Sequence, residues 1–563
     1  MSRRYVALLL VLVAALPVPA RAEEPASAAS PAPGGVVGRF YNPFQDLTVT
    51  DRPPADLYGY TSRVFALSGY FRVRGGVLSN FDLGHGLTPE GTPLWPAEGD
   101  GAAGDTVTSA NLRLRLQPEL RLGTEVRLVV QIDALDNLVY GSTPRGYPTS
   151  SAVPQVSGSP SQEPPSAGRN AFADSVRVKK AWAEWLLPFG MLQAGRVGNS
   201  WGLGVMASAG DGLDDDVDDQ VDRIGFVTTL FDHFVGLAYD VNASGPSTAS
   251  SRNAGGQPFD LTDVDDVGTL SLGVLRFFTP DVLRVKLRAD RVVVNYGAYV
   301  TWRRQKSELP AYYLLGLAGE DRDFTADEMV RRDADYVGGD LWLRVSMRRV
   351  RLELEAAYVH GRVANATLLP GVTMPATTMD QWGGVLQAEW QVTDDWPLAL
   401  LCEVGVASGD SAWGFGVASP ITQSGGQAGD LDAPQLALPG DTHVDNFRFH
   451  PNFHVDEILW RRIVGTFTDG LYVKGRLRWQ PWGKLRLDVS EVYSRTWYAE
   501  SAPGLAKPLG LETDVSLTWF ARAGVEATGT YALLVPLAGF RNVFTGVDPT
   551  PAHFAEVRLG FRF

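Results

Sequence analysis

Residues Asn111–Asp133 read NLRLRLQPELRLGTEVRLVVQID. Leu112, Leu114 and Leu116 fall on one face of an extended chain, and Arg113, Arg115 and Gln117 on the other. A helix would give those two sets no common face. Pro118 marks the end of this strand, because proline cannot donate to a ladder. After a turn at Gly123, Val126, Leu128, Val130 and Ile132 alternate with Arg127, Gln131 and Asp133. The stretch therefore reads as a hairpin whose strands each carry one apolar and one charged face. The fold depends on what the apolar face touches.

The same pattern recurs along the chain. Val350, Leu352 and Leu354 alternate with Arg351, Glu353 and Glu355; Leu471, Val473, Leu477 and Trp479 alternate with Tyr472, Lys474, Arg476 and Arg478. Between Ala66 and Phe563 there are about eighteen such strands, and the connections alternate between short and long. Short turns are expected near Gly123, Leu187–Gly190, Asp232, Thr279–Asp281, Arg348, Asp394–Asp395, Pro481–Lys484 and Ala521. The long connections are rich in Gly, Pro, Ser and Asp. This rhythm predicts an all-β fold, a transmembrane antiparallel β-barrel with short periplasmic turns and long extracellular loops. The weaker alternative is a secreted all-β protein of several domains.

Aromatic residues flank the short turns: Phe189, Phe231, Phe234, Phe277, Phe278, Trp390, Trp396, Trp479, Trp482, Trp519 and Phe520. Such rings favour a membrane–water interface. The last residues, HFAEVRLGFRF, place Val557, Leu559, Phe561 and Phe563 on one face. The final strand is expected to close the barrel against the first, since hydrocarbon tolerates no open sheet edge. Phe563 is then the candidate assembly signal for the barrel assembly machinery of a Gram-negative bacterium.

Arg3 and Arg4 precede an apolar run that ends in Ala20-Arg21-Ala22, the pattern of a signal peptide. Residues 1–22 are assigned to it, 23–37 to a Pro/Ala/Ser-rich linker, 38–64 to an N-terminal periplasmic or lumen segment, and 65–563 to the barrel. Removing the signal takes Arg3, Arg4 and Arg21 but no acid, so the formal charge of −14 becomes −17. That acidity disfavours nucleic acid as a partner. One cysteine, Cys402, allows no intrachain disulfide and reads as a small hydrophobe.

GYFRVRGGVLSNFDLGHGL, KKAWAEWLLPFGMLQAGRVGNSWGLGV, DDQVDRIGF and HVDEILWRRIVGTFTDGLYVKGRLRW, together with the opening hairpin, resemble an uncharacterised family of large outer-membrane, porin-like β-barrels of myxobacteria. The resemblance runs along most of the mature chain. It implies the barrel fold but no substrate. Relatives often carry a cysteine pair near 211–219, where this chain has only Asp, Gly, Leu and Val.

A barrel of this size leaves an aqueous interior. The inward face is expected to carry Arg113, Arg115, Arg127, Arg344, Lys474, Arg476, Arg478 and Arg486, with Asp133, Glu353, Glu355, Glu389, Glu403, Asp488 and Glu526. The basic clusters Arg113, Arg115 and Arg127 and Lys474, Arg476, Arg478 and Arg486, with Glu353 and Glu355, are the lumen selectivity candidates. The stretch GDGLDDDVDDQVDR holds seven acids, and Asp214, Asp216 and Asp218 match the start of a Ca²⁺ loop. The match fails at Asp219 and Gly225, so Ca²⁺ is a weak candidate and no other cofactor is expected. His443, His450 and His454, near Asp445 and Asp456, are a weaker transition-metal candidate. The apolar spacing of Ile458, Leu459, Ile463 and Val464 suggests that this longest loop folds into the lumen.

No G-x-S-x-G, H-E-x-x-H or phosphate-binding glycine loop occurs. The expected function is an outer-membrane channel for small hydrophilic solutes. The alternatives are an adhesion or binding scaffold built on the long loops and, less favoured, an outer-membrane hydrolase. Expected partners are outer-membrane lipid, lipopolysaccharide and the solutes, with the chain acting as a monomer or homotrimer.

Overall fold

The computed structural model describes residues 64–84, 106–139, 176–242, 263–308, 329–367, 370–392, 397–411, 442–522, 524–543 and 545–563, together with four two-residue ribbon pieces, Thr143–Pro144, Gln162–Glu163, Ser247–Thr248 and Phe259–Asp260. All belong to one compact unit, Phe40–Phe563. The signal peptide, the linker, nearly all of the 38–64 segment and Trp396 lie outside the described residues.

Eighteen antiparallel strands form one sheet. They are β1 Phe65–Ser79, β2 Thr106–Leu122, β3 Val126–Val139, β4 Val176–Leu187, β5 Gly190–Gly198, β6 Gln220–Leu230, β7 His233–Asn242, β8 Val267–Arg276, β9 Val293–Glu308, β10 Val330–Ser346, β11 Val350–Val363, β12 Thr377–Gln391, β13 Leu398–Ala407, β14 Gly470–Trp482, β15 Leu485–Thr496, β16 Pro508–Arg522, β17 Val525–Pro536 and β18 Ala552–Arg562. Each pairs with its neighbour in sequence, and β18 returns to β1 with Phe561 opposite Phe71. Phe563 completes the seam, its N–H donating to Gly69 O at 3.1 Å and its carbonyl accepting from Gly69 N at 3.0 Å. The sheet is closed and has no edge. Eighteen strands spaced about 4.8 Å and tilted about 40° give a backbone diameter of about 35 Å.

The alternation holds in space. Leu352 and Leu354 are exposed on the outside, whereas Glu353 and Glu355 are buried on the inside. Phe189, Phe231, Trp390, Trp479, Trp482, Trp519 and Phe563 are exposed around the short-turn rim. A second outward set, Tyr239, Trp302, Tyr358, Trp382 and Tyr531, stands nearer the long-loop rim. Three expected girdle residues turn inward instead. Phe234 and Phe277 pack against buried Trp201, Leu275 and Trp342, and Phe520 lies 5.4 Å from the Arg486 guanidinium.

Two local expectations are corrected. Strand β2 continues past Pro118, which sits opposite Leu67 of β1 and finds no partner on β3, the side where its missing N–H would matter. The turn expected at Thr279–Asp281 opens into a helix, α1 Pro280–Arg288, with proline in its first turn.

Candidate functional site: a lumen crossed by its own loops

The inner wall of β1, β2 and β18 carries a ladder of guanidiniums, because Arg72, Arg74, Arg113, Arg115 and Arg558 all take the inward phase of their strands. The connection between β5 and β6, residues 199–219, folds against this wall. Arg72 donates to Leu213 O at 2.8 Å and Arg113 to Asp215 O at 2.6 Å. Arg74 meets Asp216 at 2.7 Å, and Arg558 meets Asp214 at 2.6 Å. Lys180 donates to Ala209 O at 2.6 Å and to Asp211 at 2.9 Å. Arg115 holds Asp133 in a bidentate pair, both bonds at 2.7 Å, the strongest geometry for such ions.

The other end of this loop lies against β10 and β11. Glu355 accepts the backbone N–H groups of Leu203 and of Val205, the latter at 3.0 Å. Gly202 has φ +53° and lies so close to Glu355 that a Cβ would run into its carboxylate. Trp201 packs edge-on against Tyr299 of β9 at 4.9 Å. Strands β1 and β10 are about half a circumference apart in the order of the sheet. The chain from Gly202 to Asp215 can extend about 45 Å, enough to cross. Residues 199–219 are thus a crossbar through the lumen.

A second loop, between β13 and β14, enters beside it. Phe449, Trp460 and Tyr472 each set a ring edge-on to Phe467 at 4.8 Å. A single π-helical turn, Leu459–Val464, starts over Glu512 of β16. That carboxylate accepts N–H bonds from Glu457 at 2.9 Å, Ile458 at 2.6 Å and Leu459 at 2.9 Å. These are the amides a helix start leaves unpaired. Asp456 accepts from Trp460 N at 2.8 Å.

The two loops join at Asp214, which meets Arg461 at 3.0 Å; His450 N also donates to Val205 O at 2.7 Å. Burial pushes the Asp214 carboxyl up, but Arg461 and Arg558 outweigh it and hold it well below the usual range. Burial, then Arg461, lowers His454 to about 3, so its imidazole is neutral at physiological pH.

On the short-turn side of the loops the inner wall meets water. The Arg478, Arg486 and Arg351 side chains are 40%, 35% and 32% exposed. A cavity of about 150 Å³ opens here, lined by Arg351, Glu389, Glu403, Phe453, Arg476 and Arg478.

The expected lumen residues thus divide into two groups. Arg113, Arg115, Lys474, Glu353 and Glu355 face inward but are buried, whereas Arg476, Arg478 and Arg486 reach water. Arg127 lies between, 15% exposed and 2.7 Å from Glu184. The carboxylates read as a Ca²⁺ pattern diverge: Asp214 and Asp216 turn to arginines, and Asp218 meets Lys179 at 2.9 Å. Among the described residues no group of His, Cys, Asp or Glu converges as a metal site, the histidine set included. The loop containing Leu459 and Ile463 does fold into the lumen. Arg72, Arg74 and Arg558 are additions, and their signal was available in the alternation of YFRVRGG and AEVRLGF.

The closed seam, the outward apolar face and the aromatic rims together fix the environment. This chain is an outer-membrane β-barrel. No protein-family model matches it, and no curated protein matches it. Among solved structures it is similar to OpdK, an outer membrane protein of Pseudomonas aeruginosa, with TM-score 0.42 and 9% identity over 88% of this chain and 99% of that one. OccK11 of the same organism gives TM-score 0.42 and 10% identity over 88% and 96%. The outer membrane channel DcaP of Acinetobacter baumannii gives 0.34 and 10% over 89% and 97%.

Proposed function

We propose that the barrel is a channel for small hydrophilic solutes, which diffuse through a lumen narrowed by its own loops. The crossbar carries this reading. A cylinder about 35 Å wide between backbones cannot be filled by wall side chains alone, and here two infolded loops constrict it while charged wall residues stay in water beside them. Selectivity then rests on Arg351, Arg476, Arg478 and Arg486 against Glu389 and Asp488. The buried ladder of β1 and β2 serves instead to hold the crossbar.

The same reading puts the short-turn rim in the periplasm and the long loops outside against lipopolysaccharide. Phe563 is the assembly signal, and the chain works as a monomer or homotrimer. The resemblance to the myxobacterial barrel family accords with this, and a size measurement of the detergent-solubilised protein separates the two oligomeric states. Swelling of proteoliposomes in isotonic sugars tests the channel. Entry of pentoses that declines with solute size supports it, and no entry by any sugar or by salt opposes it.

A further inference from the structure

We infer that the lumen holds a binding subsite for a small organic monoanion with an apolar body, seated on the guanidinium of Arg476 beneath Phe453. The inference rests on the channel reading for its purpose, though not for its geometry.

Strand β14 points three cations inward: Lys474, Arg476 and Arg478. Two are committed. Lys474 donates to Val455 O of the infolded loop, and Arg478 donates to Asp488 at 2.9 Å. Across the cavity Arg351 is committed as well, to Glu353 at 2.7 Å and to Glu389 at 2.8 Å. Arg476 lines the same cavity and has neither a hydrogen bond nor an ion pair among the described residues. It is half-buried. A guanidinium offers five N–H donors in a rigid fork, and here no acceptor of the described residues takes any of them up.

The neighbours limit what the fork would hold. Glu403 and Glu389 line the cavity too. Glu403 is occupied by Tyr472 at 2.8 Å and Gln387 at 2.7 Å, and Glu389 by Arg351, so neither turns to Arg476. Their charges remain, and a second negative charge on the ligand would face them. That disfavours dicarboxylates and phosphate dianions. A single planar carboxylate matches the fork. Leu401, opposite Arg476 in the β13–β14 register, with Ala399 and the Phe453 ring, gives an apolar side to a wall that also carries Gln387 and His454.

The test uses the full-length protein in detergent, titrated calorimetrically with benzoate, benzamide and phthalate. Benzoate is expected to bind at least about tenfold more tightly than either of the others. Arg476→Gln should lose about tenfold or more in benzoate affinity, Arg476→Lys should retain part of it, and the exterior Arg196→Gln should retain all. Heat-dependent gel mobility checks folding of each variant. If Arg476→Gln does not fold, an Arg476→Lys variant that binds like the wild type overturns the subsite. Equal binding of benzoate and benzamide, or a folded Arg476→Gln that binds like the wild type, also overturns it. Conductance of the same preparations in KCl separates the two claims. A non-conducting barrel that binds benzoate through Arg476 sinks the channel and keeps the subsite. A conducting barrel without Arg476-dependent binding does the reverse.

Discussion

Asp214 of the crossbar meets Arg461 of the second loop at 3.0 Å, and this contact ties together two segments almost 250 residues apart in sequence. The same carboxylate meets Arg558 of the last strand at 2.6 Å. One side chain therefore joins both loops to the wall.

Asp214→Asn takes from the largely buried Arg558 the carboxylate it meets at 2.6 Å and leaves Arg461 with Glu457 at 3.0 Å. Breaking a buried pair from one side costs about 3–5 kcal/mol. The variant should unfold in urea at clearly lower concentration than the wild type. Arg196–Asp222 is the internal control: its side chains are 54% and 50% exposed, so Arg196→Gln should cost under about 1 kcal/mol.

Glu512 holds the start of the π-helical turn through three backbone amides. Glu512→Ala should weaken docking of this loop by at least about 2 kcal/mol, since leaving a buried N–H donor without its acceptor costs about 1–3 kcal/mol each. Hydrogen exchange at the Ile458 and Leu459 amides should speed up, and single-channel current should become noisier. Unchanged exchange would show that aromatic packing alone holds the loop.

Loop docking should depend on pH in two windows of opposite sign. Burial, then the Asp514 carboxylate, raises Asp456 to about 7 from its ordinary 3.8. The folded state then binds this proton more tightly than the unfolded state. Its stabilising effect is present at acid pH and is lost as pH rises from about 4 to about 7. Asp216 behaves in the opposite way. Burial raises it, but Arg74 and Arg72 bring it to about 2, so its contribution is lost as pH falls from about 4 to 2. Asp456→Asn should flatten the upper window and leave the lower one, as read by thermal unfolding across pH.

Phe563 is 55% exposed on the outer face, and its backbone closes the seam on Gly69. Deleting it removes both seam hydrogen bonds and one aromatic of the short-turn rim. The amount of heat-modifiable barrel recovered from membranes should fall several-fold. Phe563→Tyr, which keeps the ring and the backbone, should restore most of it.

Much of this was legible in the sequence. A period of two assigns every strand residue to lipid or lumen, so the inward placement of Arg113, Arg476 and Glu355 followed from Leu112, Leu477 and Leu354 alone. The fate of those charges was not legible. Arg113 is buried because Asp215, about a hundred residues later, lies over it, and strand alternation carries no information about a loop that returns. The acidic run looked like a cation site for the same reason: its partners were arginines on distant strands. Helix α1 escaped because VLRVKLRADRVVV satisfies both strand and helix periods, although Pro280 and Asp281 after Thr279 were a start signal. Pro118 misled because a strand tolerates proline where one neighbour is skipped.

Single-channel conductance of the purified protein in a planar bilayer, with reversal potential under a KCl gradient, tests the central claim most directly. The account predicts stable, repeated current steps, with the reversal potential shifting toward cations in Arg476→Gln, because that residue is an uncommitted charge facing the water-filled half of the lumen. A correctly folded barrel that inserts and passes no ions would contradict it.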